Sequence, residues 1–110
     1  MKTNAFLRLT KIITQKAGEF IEQESSGLSL ITVTECRLSE DGKRVIILVS
    51  VIPETKSEAA LDFLKRQRST FRTRLMKETK IARVPSIDFE LDRGEKNRQR
   101  IEELSKKIEI

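Results

Sequence analysis

Eight basic residues fall between positions 65 and 83: Lys65, Arg66, Arg68, Arg72, Arg74, Lys77, Lys80 and Arg83. The only acid among them is Glu78. Ammonium and guanidinium groups at this density suit one chemistry above others, the donation of charge-assisted hydrogen bonds to phosphate oxygens. From Lys65 to Arg74 no acid intervenes, and Ser69-Thr70 stand in the middle. Both are weak in a helix interior and good at its start. A helix beginning there would aim its free N–H groups at the same anion. Lys43 and Arg44, in a different part of the chain, are candidate secondary contacts. The plainer reading of these residues is a solvated basic face with no partner.

Other chemistries lack their reagents. The chain has no His and one Cys, so no imidazole can activate a nucleophile or ligate a metal, and no internal disulfide can form. Cys36 reads as a small apolar residue of a strand in a reducing compartment. Gly18, Gly27, Gly42 and Gly94 are isolated, so there is no Gly-rich phosphate loop. The acids are scattered, each explained by a solvated face or a cap. The expectation is a protein that is not an enzyme, with no metal and no cofactor.

The net charge of +5 and a charged fraction of 35% over 110 residues, against a usual quarter, favour an anionic partner. There is no Trp or Tyr, and the five Phe fall mostly on apolar faces. Recognition would therefore rest on backbone phosphates and shape rather than on base stacking. The N-terminus has no uninterrupted apolar stretch of the signal-peptide kind. The longest apolar run, Val45 to Val49, is far too short to span a bilayer. A soluble, cytoplasmic protein is expected.

These residues need elements to position them. Phe6, Leu9, Ile12, Ile13, Ala17, Phe20 and Ile21 recur at helical spacing, which predicts an amphipathic helix over 4–24, capped by Thr3 or Asn4 and stopped by Ser25-Ser26-Gly27. Residues 28–38 alternate as a strand, with Leu30, Thr32, Thr34, Cys36 and Leu38 on one face and Ile31, Val33, Glu35 and Arg37 on the other. Turn residues Ser39 to Gly42 lead into a strand over 44–52, apolar on both faces and so central, ended by Pro53. Residues 57–79 are helix-forming, but the apolar stripe fails at Gln67-Arg68. We read one helix to about Arg68 and a second capped by Ser69 or Thr70; the competing reading is one continuous helix. Ile87, Phe89 and Leu91 alternate with Ser86, Asp88 and Glu90 in a third strand with one wet face. A charged helix follows over about 95–108, carrying Ile101, Leu104 and Ile108. The crossover requires strands two and three, if adjacent, to run parallel with right-handed connection. The fold class is α+β: one domain over 1–110 with its core at about 4–92, and a three-stranded mixed sheet with helices packed on one face.

Several segments resemble the ribosome-binding factor A family in order and spacing. Gly27-Leu28-Ser29-Leu30-Ile31-Thr32-Val33-Thr34 is similar to its first strand, and Val49-Ser50-Val51 to the end of its second. Arg83-Val84-Pro85-Ser86-Ile87-Asp88-Phe89 and Arg100-Ile101-Glu102-Glu103-Leu104 resemble its third strand and its ending. The resemblance implies a type-II KH domain that binds the small (30S) ribosomal subunit and assists late 16S rRNA processing, including in cold adaptation. It places an Ala-x-Gly helix break at Gln67-Arg68-Ser69, which keeps neither the Ala nor the Gly. The expected partner is the free small subunit and its rRNA, bound by a monomer with no membrane and no small-molecule substrate. A protein-interaction module and a general RNA chaperone are the alternatives for the same basic face.

Overall fold

The computed structural model describes residues 4–25, 27 and 29–94. The expected helix over 95–108, the cap Thr3 and the Arg100–Leu104 motif lie outside them.

Helix α1, Asn4–Glu24, lays Ile13, Ala17, Phe20 and Ile21 into the core, with Phe6 and Leu9 half-buried beside them. After it Gly27 adopts φ +80°, a left-handed conformation that only glycine takes without strain. Strands β1 (Leu30–Leu38) and β2 (Arg44–Ile52) form an antiparallel hairpin. Its turn is built from its own side chains. The Ser39 hydroxyl donates to Asp41 at 2.6 Å, and the Lys43 and Arg44 N–H groups donate to Asp41 and to the Ser39 oxygen. Gly42 takes φ +71° against the Phe6 ring.

Strand β3, Ser86–Leu91, joins the other edge of β2, in parallel, giving the order β1-β2-β3. Helices α2 (Ser57–Arg66, preceded by a 3-10 turn at Glu54–Lys56) and α3 (Arg68–Glu78) make the crossover. They pack with α1 on one face of the sheet, as expected from the pattern. Val45, Ile47, Val49 and Val51 of the central strand meet that layer together with Ile87 and Phe89. The opposite face of β2 is also apolar, and among the described residues no helix lies over it: Leu48 is buried, but Ile46 is 39% exposed and Ile52 64%.

The expected alternation in β1 needs correction. The register shifts between Val33 and Glu35. Ile31 and Val33 face the helices before this bulge, and Cys36 and Leu38 after it. The extra residue reverses the facing of everything beyond it. Thr34, at the bulge, donates its one hydroxyl proton to Asp92, with the Leu48 carbonyl 3.2 Å from the same oxygen. Cys36 is half-buried, and burial pushes its thiol pKa up although a hydrogen bond with Thr14 works the other way, which suits an unreactive packing residue.

Candidate nucleic-acid interface

The crossover does break, and the break falls on Gln67, with φ −94° and ψ 3°. Hydrogen bonding runs through it. The Gln67 N–H donates to the Leu64 and Phe63 carbonyls, and the Gln67 carbonyl accepts from the Phe71 N–H at 2.9 Å. The second helix starts at Arg68 rather than at Ser69-Thr70, and no side chain caps it. Ser69 and Thr70 are exposed within its first turn, so the expected capping role is overturned. The reason is local: the backbone bonds across Gln67 already satisfy donors that a hydroxyl cap would have served.

Helical spacing then divides the cations into two rows. Lys65, Arg68 and Arg72, at positions i, i+3 and i+7, face the free edge of β3. Lys65 donates to Asp88 at 3.0 Å and to Glu90 at 3.2 Å. Arg68 donates to Asp88 at 3.2 Å and back to the Lys65 carbonyl. Arg72 donates to the carbonyls of Val84 and Pro85 at 3.0 and 3.2 Å, tying α3 to the loop that enters β3. Arg74, on the α1 side, donates to Gln23 and Glu24 and lies 4.8 Å over the centre of the Phe20 ring. Each of these four cations thus has a protein partner.

The outer row is different. Arg66, Lys77, Lys80 and Arg83 are exposed and make no ion pair or side-chain hydrogen bond among the described residues. Ser69, Thr70 and Thr73 lie exposed between Arg66 and Lys77, offering hydroxyl donors along the same face. Lys43 and Arg44 are exposed at the hairpin end of the sheet. The backbone bond from the Ser86 N–H to the Lys43 carbonyl and the side-chain bonds from Arg72 to the Val84 and Pro85 carbonyls bring the hairpin, the 79–85 loop and α3 into one neighbourhood.

The partners Asp88 and Glu90, which decide which cations are paired, are residues that pattern reading does not single out. A signal existed: two acids at i, i+2 on the wet face of a strand, following a helix with cations at i, i+3 and i+7. Burial alone would raise the Asp88 pKa. Hydrogen bonds from Lys65 and the Phe89 N–H, with the charges of Lys65 and Arg68, outweigh it and hold the carboxyl below its ordinary 3.8. Lys65 is raised above 10.5, chiefly by its bond to Asp88 against a lowering by burial, with Glu90 adding to it. The contribution of Asp88 to stability is therefore present above the ordinary carboxylate range and lost as pH falls through its depressed pKa. That of Lys65 is lost only as pH rises through its elevated one. The two side chains are 32% and 37% exposed, so solvent screening keeps the pair below about 1 kcal/mol. Asp88→Asn should be less stable than wild type by up to about that amount at neutral pH, and the difference should vanish once the pH has fallen through the depressed Asp88 pKa. Urea midpoints measured across that range check this; a difference that persists in acid would show that Asp88 acts by packing and not by charge.

Comparison with known proteins agrees with this geometry. A sequence profile described as ribosome-binding factor A matches residues 6–105. The ribosome-binding factor A of Coprothermobacter proteolyticus is 28% identical over 109 residues, covering 94% of this chain and 80% of that protein. The crystal structure of ribosome-binding factor A from Thermus thermophilus superposes with a TM-score of 0.71 at 26% identity, over 80% of this chain and 96% of that one. A homology model of the Thermus thermophilus factor, fitted into a cryo-EM map of its complex with 30S, gives 0.67 at 27% identity over 77% and 92%. With its α+β, KH-like fold and a profile match over most of its length, this chain belongs to the ribosome-binding factor A family.

Proposed function

We propose that this chain is a non-catalytic RNA-binding factor that binds the free small (30S) ribosomal subunit and assists late maturation and processing of its 16S rRNA. It acts as a single KH-like domain, as a cytoplasmic monomer, and its activity matters most in the cold, where RNA structure is slowest to rearrange. The observation that carries the reading is the outer row Arg66, Lys77, Lys80 and Arg83, cations without a partner among the described residues on either side of a helix break. Uncompensated cations running from α2 through α3 into the loop after it give affinity for phosphate backbone. Lys43 and Arg44 extend the contact at the hairpin. Lys65, Arg68, Arg72 and Arg74 shape and brace the surface and become phosphate contacts where rRNA displaces their present partners. Support for the ribosomal target comes from family membership and from the Thermus relative fitted into a 30S complex.

Co-sedimentation tests the reading. The protein should pellet with free small subunits and not with large subunits, with binding that weakens steeply as salt rises. Equal binding to unrelated RNA would make it a general RNA chaperone. Binding to ribosomal particles that survives RNase would make the basic face a protein-docking surface.

A further inference from the structure

The helices cover one face of the sheet, and the other holds a second cationic feature that the helix rows do not explain. Register places Arg37 of β1, Ile46 of β2 and Asp88 of β3 in one row across that open face, with Arg44 and Ser86 in the next. With strands about 4.8 Å apart, the row spans roughly 10 Å. These residues and Arg68 line an open depression of about 530 Å³. Three guanidinium groups therefore surround it against one carboxylate. That carboxylate, Asp88, is already engaged by Lys65 and Arg68. Among the described residues Arg37 pairs only with Glu35, two residues away on the same strand, with both side chains more than half exposed. Such a pair is weak and readily exchanged for a better anion. The Arg44 side chain has no ion pair among the described residues. Ile46, 39% exposed, gives the depression an apolar surface.

We propose that this depression on the open sheet face is a second RNA site, which takes a single-stranded segment with its phosphates on Arg37 and Arg44 and an unstacked base or ribose against Ile46. The inference rests on the RNA-binding reading above and extends it. Guanidinium forks match phosphate oxygens in pairs. Three arginines around one neutralised acid complement a polyanion, and an apolar patch between them suits a base that has left its helix. Continuity points the same way. Arg68 borders both the depression and the groove between the helix break and the edge of β3. A strand lying along the helices can thus turn over β3 onto the sheet.

The test uses the full chain and a fluorescent single-stranded RNA of mixed sequence, about ten nucleotides long. Arg37→Ala with Arg44→Ala should weaken binding roughly tenfold and flatten the log–log salt dependence by about 1.4, two phosphates at about 0.7 each. Arg37→Lys with Arg44→Lys keeps the charges, so the slope should hold while affinity falls by less; this pair of variants also guards against loss of fold, checked by thermal midpoint. Wild-type affinity and slope in the Ala variant, while Arg66, Lys77 and Lys80 changed to Glu reduce both, would overturn the second site and the Arg44 contact at the hairpin and leave the proposed function on the outer row intact. No effect from either set would remove both. Polyglutamate competing as well as RNA would assign the depression to an acidic protein and overturn the proposal.

Discussion

Changing Arg66, Lys77 and Lys80 together to Glu should weaken binding to free small subunits by about a hundredfold or more at near-physiological salt, with the fold unchanged. All three are exposed and unpaired among the described residues, so the substitution breaks no bond within the protein. Each lost phosphate contact on RNA flattens the log–log salt slope by roughly 0.7–0.9, so three remove about 2. At about 1 kcal/mol or more per charge-assisted contact, three contacts amount to at least about 3 kcal/mol, a factor above one hundred before the repulsion of three new carboxylates is added. Sedimentation or filter binding over a salt series reads both numbers. Arg68 and Arg72 belong in a separate variant. Arg72 fastens α3 to the Val84 and Pro85 carbonyls, and reversing it would confuse loss of binding with loss of structure. Full binding by the triple variant, with an unchanged slope, would exclude the outer row as the interface.

That distinction between rows was only half legible in the sequence. The density of cations between 65 and 83 was plain, as was a break near Gln67 where the apolar stripe failed. Which cations are available depends on Asp88 and Glu90, more than twenty residues away, brought alongside only by the crossover. Local pattern cannot show a pairing made by tertiary packing. The cap of the second helix differs from the expected Ser69 or Thr70 for a related reason. Ser69 and Thr70 have the side chains of helix starts, but the chain bends where backbone bonds across Gln67 can still be made. The hairpin, the central β2 and the parallel β3 followed from alternation and from crossover geometry. The facing of β1 did not, because a bulge at Thr34 adds a residue without a glycine or any other mark. Arg37 was read simply as one member of a strand face. Its part in the open-face depression arises from register across all three strands.

The same packing makes α3 vulnerable at one side chain. Its eleven residues bury only Phe71 and Leu75; the rest is polar or exposed. Phe71 is fully buried and sits where three elements meet. Its ring centre is 5.1 Å from that of Phe20 on α1 and 6.2 Å from that of Phe89 on β3, both tilted. Such contacts add about 0.5–1.5 kcal/mol per pair beyond the burial of area. Phe71→Ala should therefore cost about 3–5 kcal/mol, the upper range for a buried aromatic, because neighbours on three sides cannot all close on the cavity. At about 4 °C or more per kcal/mol for a chain of this size, the thermal midpoint should fall by at least about 12 °C. Phe71→Leu keeps most of the volume and loses the ring contacts, so a cost of about 1–2 kcal/mol is expected. The consequence reaches the interface. Lys77 rides on α3 and Lys80 and Arg83 on the loop that follows it, and α3 is held to the sheet by two apolar anchors and the Arg72 tie, so Phe71→Ala should also weaken subunit binding at temperatures where the fold persists. Denaturant midpoints for the two variants give the energies, and a cost below about 1.5 kcal/mol for the alanine would show that α3 is not anchored through this ring.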